Sequence, residues 1–248
     1  MIPALTEEAP RLVRRADENE LALRLFGGVA IWLRCTEQTR QLLGRDYGDI
    51  DLVAHKGGSR RLRELLEHEG YVPERVFNAT HGASRLLYHA PDSSYHIDVF
   101  LDQFEMSHKL DFSRRLEVES VCLPAAELLL AKLQVAEVNR KDLTDTAMLL
   151  LDHRPGEADG PGALNLAEVS EVCAASWGLY TTVTDNLDAL RAIVDALGLS
   201  AEQATLLRDR ITEVRGGLEA APKTGAWKMR ARIGRRKRWY EVPEEVTR

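Results

Sequence analysis

Two aspartates one residue apart, Asp49 and Asp51, flank Ile50 and run into the apolar Leu52 and Val53. On a strand, side chains two positions apart share a face. Both carboxylates would then point one way, with Ile50 turned into the core. Such a pair can share hard cations. Upstream, a short apolar run, Leu23 to Phe26, meets Gly27 and Gly28, and a helix-like segment follows from Val29. Two glycines between a strand and a helix let backbone N–H groups approach an anion, and a helix N-terminus favours negative charge. A third carboxylate, Asp98, lies in a later strand-like run, Tyr95 to Phe100. Phosphates near N–H groups and Mg²⁺ on carboxylates are the parts needed to activate a nucleoside triphosphate. A tight turn at the glycines and three unrelated surface aspartates are the plain structural alternative. The order and spacing of all the pieces favour chemistry.

The elements that must position these groups can be read in order. A first helix falls within residues 7–22, and a strand runs from Leu21 to Phe26. One helix spans Val29 to Leu43, and a second strand spans Asp49 to Ala54. A helix follows from Ser59, as N-cap, to Glu69, with Gly70 ending it. Tyr71 to Phe77, Ser84 to His89, Tyr95 to Leu101 and Leu116 to Leu123 read as strands. Pro124 opens an apolar helix, Ala125 to Asn139, and another follows over Leu143 to Leu151. The stretch His153 to Ala163 is rich in proline and glycine and reads as a linker. Helical patterns follow near 165–177, 180–198 and 201–219, the last with a capping box at Ser200 and Gln203.

The glycine pair opening a helix, the Asp-x-Asp strand and the later apolar-Asp-apolar strand resemble the DNA polymerase β-type nucleotidyltransferase superfamily. More narrowly, residues of about 20–150 resemble AbiEii/MenT-type toxin nucleotidyltransferases. The resemblance implies an α+β fold: a small mixed β-sheet nucleotidyltransferase core flanked by helices, then a helical C-terminal half. The chain divides into a core over 1–122, a helical domain over 123–222 and a basic tail over 223–248. The resemblance implies an enzyme moving a nucleoside monophosphate from an NTP to an acceptor hydroxyl. Mg²⁺ would sit on Asp49, Asp51 and Asp98, and Asp98 would also orient the acceptor. Gly27 and Gly28 would hold the triphosphate, although Gly28 replaces a serine found in many relatives. RNA, with a tRNA 3′ end as one form of it, is the implied acceptor, with a cognate antitoxin protein as partner. A small-molecule acceptor of the aminoglycoside kind and a non-catalytic nucleotide-binding module are the alternatives.

Basic residues complete the expected site. Arg45 would neutralise phosphate charge or serve as a surface arginine paired with Asp46 or Glu37. Lys132 stands among leucines and must snorkel or find an anion. The resemblance places it at the nucleotide, with a catalytic role, and puts Arg140 and Asp142 near it. Asp145 would order Lys132 or Arg140; an ion-paired helix junction is the alternative. His96 shares the face of Asp98 and reads as a hydrogen-bonded sheet residue.

Composition sets the outer bounds. The chain has 248 residues, 44% hydrophobic, with a formal net charge of −6. That suits one large or two small domains and excludes wholesale coating by nucleic acid. Cys35, Cys122 and Cys173 lack metal spacing and read as buried thiols in a reducing cytoplasm. No leader pattern or membrane-length apolar run stands out. Lys223, Lys228, Arg230, Arg232, Arg235, Arg236, Lys237 and Arg238 crowd the tail without an acid between them, and Trp227, Trp239 and Tyr240 are interleaved. This tail would bind RNA phosphates, or pack on an acidic surface of the same chain.

Overall fold

A computed structural model describes residues 2–92 and 94–242. In chain order the elements are α1 (Ile2–Glu18), β1 (Leu23–Phe26), α2 (Gly27–Arg34), α3 (Glu37–Leu43), β2 (Asp49–Ala54), α4 (Ser59–His68), β3 (Val72–Pro73), α5 (Arg75–His81), β4 (Arg85–His89) and β5 (His96–Leu101). Then come β6 (Gln103–Glu105), β7 (Lys109–Asp111), α6 (Ala125–Leu133), α7 (Arg140–Asp152), β8 (Arg154–Gly156) and β9 (Ala163–Asn165). The chain ends in α8 (Leu166–Ala175), α9 (Trp177–Ile193), α10 (Ala201–Ala220) and α11 (Gly225–Ile233). The fold is α+β, and among the described residues no helix is long and apolar enough to cross a membrane.

The chain forms two compact units. The first comprises Met1–Arg34, Arg45–Phe104 and Leu110–Pro124. Its sheet has the order β1-β2-β5-β4-β3. β2 and β5 run parallel, and the other neighbours are antiparallel. Leu25, Ile50, Leu52, Ile97 and Val99 are fully buried on the strands, and Leu5, Leu12, Ile31, Leu62 and Leu66 bury the helix faces in the same unit. Phe26, Phe100 and Phe104 meet edge to face, with centroids 4.9–5.4 Å apart.

The second unit comprises Cys35–Gly44, Glu105–Lys109 and Ala125–Arg248. It is almost wholly helical. Leu128, Leu129, Met148, Leu149, Val183, Leu187, Leu207 and Val214 form its core. All three cysteines are free and buried.

Several expected elements differ. The single helix from Val29 to Leu43 is two helices, because the Thr36 hydroxyl accepts from Thr39 N–H and caps a new start. Ser59 is the first residue of α4, not its cap; a 3₁₀ turn over Lys56–Gly58 precedes it, and Gly58 caps without a side-chain bond. The strand from Tyr71 to Phe77 stops at Pro73, and α5 takes its place. Asn78 on α5 donates to the Leu87 carbonyl (3.0 Å) and accepts from Leu87 N–H (2.7 Å), so one side chain supplies what a strand ladder would have given. Leu116 to Leu123 is mostly turn; only its end pairs with β1, where Leu25 N–H reaches Val121 O and Leu123 N–H reaches Leu25 O. α6 ends at Leu133, and Asn139 caps α7 by accepting from Asp142 N–H. The stretch read as a linker lies inside the second unit and carries β8 and part of β9, which pair in parallel. The basic tail is in part a helix, α11, and Pro243 to Arg248 of it lie outside the described residues.

Candidate functional site: an acidic strand face beside a glycine-lined helix start

The site is built where β1 turns into α2 alongside β2. Phe26 pairs with Asp51, so the next residue, Gly27, starts α2 against that carboxylate. Gly27 has φ +71, a conformation only glycine adopts freely, and a Cβ there would overlap Asp51 Oδ2. At Gly28 a Cβ would run into the Tyr47 ring and come within 3.0 Å of an Arg45 terminal nitrogen. Both glycines are therefore demanded by close approach of the Asp51, Tyr47 and Arg45 side chains, not by the turn alone. Asp51 beside the start of α2 also suits the helix dipole. The Arg45 guanidinium lies over the Tyr47 ring at 4.2 Å and donates to the Asp46 carbonyl at 3.0 Å. That contact is to the Asp46 backbone.

The parallel pairing of β2 and β5 sets Asp51 beside Asp98 and Asp49 beside His96. Alternation along each strand puts all four on one face. His96 Nε2 lies 3.7 Å from Asp49 Oδ2 and 3.7 Å from Asp98 Oδ2. That nitrogen is buried and makes no hydrogen bond, so His96 is not the satisfied sheet residue expected from sequence. Asp98 is 3% exposed. Arg85 on β4 donates from Nε to Asp98 Oδ1 at 2.8 Å, and its guanidinium packs over Phe100 (4.7 Å) and Phe77 (5.4 Å). Sequence reading missed Arg85, because nothing in a lone strand arginine announces which neighbour the sheet will give it. His96 carried a signal, its two-residue spacing from Asp98.

A divalent cation is implied by the resemblance, and the donor chemistry fits it. Three carboxylates share one face on adjacent strands, and oxygen donors suit Mg²⁺. The rotamers present are another matter. Among the described residues, no three His, Cys, Asp or Glu side chains are gathered closely enough to hold an ion. Arg85 occupies one oxygen of Asp98.

Lys132 and Arg140 belong to the second unit. Lys132 Nζ lies 2.9 Å from both Asp142 Oδ1 and Asp145 Oδ2, and Asp145 is fully buried. Burial pushes the Lys132 pKa down, but Asp145 and Asp142 more than offset this and the net shift is upward. This is the geometry of an ion-paired helix junction, with Asp145 ordering Lys132. Arg140 donates to the Ala196 carbonyl at 2.9 Å.

No family model matches this sequence, and no curated protein matches it either. Five solved chains match it in structure. One is the antibiotic-resistance factor ANT(2'')-Ia, determined in solution, which is 14% identical over 88% of this chain and 97% of that chain, with a TM-score of 0.41. A likeness at that identity and score says nothing of activity.

Proposed function

We propose that the chain is a Mg²⁺-dependent nucleotidyltransferase of the DNA polymerase β type. It would move a nucleoside monophosphate from an NTP to an acceptor hydroxyl. The observation that supports this best is Asp51 and Asp98 side by side in register, with Asp49 on the same face and Gly27 packed on Asp51. Asp49, Asp51 and Asp98 would hold the cation, whose chemistry is to neutralise phosphate charge and stabilise the oxygens of an in-line displacement. The acceptor oxygen bonds to the α-phosphorus, the bond to the β-phosphate oxygen breaks, and pyrophosphate leaves. Asp98 orients the acceptor and takes its proton, with Arg85 fixing one of its oxygens. N–H groups at Gly27 and Gly28 face the triphosphate, and Arg45 beside Gly28 meets its charge. Lys132 and Arg140 enter only through the resemblance, since each is engaged within its own unit.

The acceptor in this reading is RNA, as in the toxin group; a small hydroxylated molecule is the second reading. Incubation with Mg²⁺ and NTPs labelled at the α-phosphate, with total RNA in one arm and aminoglycosides in another, tells them apart by which molecule becomes labelled. Label in neither arm from any of the four NTPs would count against transfer itself.

A further inference from the structure

The C-terminal basic segment is not a loose tail. Thr224 caps α11 by accepting from Trp227 N–H at 3.1 Å. Lys223 Nζ donates to the carbonyls of Leu218 and Ala221. Trp227 meets Tyr180 edge to face at 5.4 Å. Arg230 stacks over Trp177 and donates to the carbonyls of Gly234 (2.7 Å) and Lys237 (2.8 Å). Arg235 pairs with Asp185 through two bonds of 2.7 and 2.8 Å. Trp239 Nε1 donates to Thr182 at 3.1 Å. Every one of these contacts lies within the second unit, and together they fix the segment's underside.

Its outer side is different. Lys228, Arg232, Arg236, Lys237 and Arg238 are exposed. Among the described residues none of them has an acidic partner, and only Arg238 has an aromatic one, Tyr240 at 6.0 Å. Lys228 and Arg232 are four apart on one helix, a spacing at which like charges repel. Arg236 to Arg238 follow without interruption. In a chain of net charge −6 the acids to neutralise this row exist, yet among the described residues the segment's one acidic partner is Asp185, which pairs with Arg235. A folded, anchored, uncompensated row of cations is costly on its own and favourable under a polyanion. Beside it opens a cleft of about 430 Å³, walled by Lys109, Arg230, Arg238, Trp239 and Tyr240, with Glu105 and Glu241 also on its wall. Half-buried aromatic rings next to cations are the arrangement on which unpaired bases stack while phosphates are neutralised.

We infer that this face binds single-stranded nucleic acid, with phosphates along Lys228, Arg232 and Arg236–Arg238 and a base at the Trp239–Tyr240 cleft. The inference is independent of the transfer chemistry proposed above and needs no NTP. Fluorescence anisotropy of the full chain with labelled single-stranded RNA and DNA oligomers of about 20 nucleotides, across a salt series, tests it. The wild type should bind with a log–log salt slope of several units, each phosphate contact contributing roughly 0.7. The double variant Lys228→Ser/Arg232→Ser should flatten that slope by about 1.4. Arg236→Glu/Lys237→Glu should weaken binding more than tenfold. These side chains have no partners to lose, so the variants should melt as the wild type does. Tyr240→Ser should lower affinity while leaving the salt slope unchanged. Failure of the wild type to bind at low salt, or charge variants with an unchanged slope, would overturn the inference. So would binding confined to phosphatidylserine vesicles, through Met229 and Ile233, which are also exposed on α11.

Discussion

Asp98 is the residue on which most of the geometry converges. It is almost wholly buried, and a buried carboxylate requires a partner. Arg85 supplies it, with a guanidinium that also stacks on two phenylalanine rings. Removing one member of such a pair leaves the other uncompensated, which costs more than removing both. Arg85→Gln should therefore lower stability by roughly 2–4 kcal/mol, between the values for surface and buried pairs. The double variant Arg85→Gln/Asp98→Asn should recover most of that loss in urea unfolding curves. Equal losses in the single and double variants would show that Asp98 does not depend on Arg85. The glycines make a related point. Gly27 could be picked out in the sequence as a turn residue, but its tight packing on Asp51 depends on strand pairing, and only the folded chain displays it.

At the scale of elements, β2 and β5 were legible because both are short and apolar, β2 with acids at alternate positions and β5 with one acid, Asp98. α5 was not, because its local pattern reads as a strand and Asn78 decides the matter from a distance. The break between α2 and α3 was hidden for the opposite reason: the helical period continues through it, while Thr36 offers a cap that only side-chain contacts reveal. Lys132 stands out in the sequence as a cation that must snorkel or find an anion, and its partners are Asp142 and Asp145 on α7, the ion-paired junction that is the alternative to a nucleotide role. This junction should behave as a buried triad. Lys132→Met should destabilise the protein by about 3–5 kcal/mol in denaturant titrations, because two carboxylates lose their cation. A variant with wild-type stability would point instead to a ligand role. His108 gives the same unit a pH dependence. Burial lowers its pKa from 6.5 to about 4. Thr182 already accepts from Trp239, so its own proton is available to the neutral His108 Nε2 at 2.8 Å. The unfolded chain then binds the proton more readily. Stability should fall as pH drops below about 6.5 and level off near 4. His108→Gln should flatten melting temperature against pH across that window.

For the whole molecule, two local charge patterns stand out. Asp49, Asp51 and Asp98 share the β2–β5 face of the first unit, and cations without an acidic partner among the described residues lie on and just after α11 in the second. Composition alone reports one number, −6, and conceals both. The sequence showed the run of cations but not its anchoring. That anchoring makes point variants better probes of α11 than deletion, since deletion also strips Trp227, Arg230 and Trp239 from the helices beneath them.

The central claim is that the acids of β2 and β5 face a metal-bound triphosphate. Isothermal titration of the full chain with ATP, CTP, GTP and UTP, each with and without Mg²⁺, tests it most directly. At least one nucleotide should bind only with Mg²⁺. That binding should disappear in Asp49→Asn and Asp51→Asn while both variants melt within about a degree or two of the wild type, as expected for changes at partly exposed polar positions. Binding of none of the four, or Mg²⁺-dependent binding that survives both substitutions, would contradict the account.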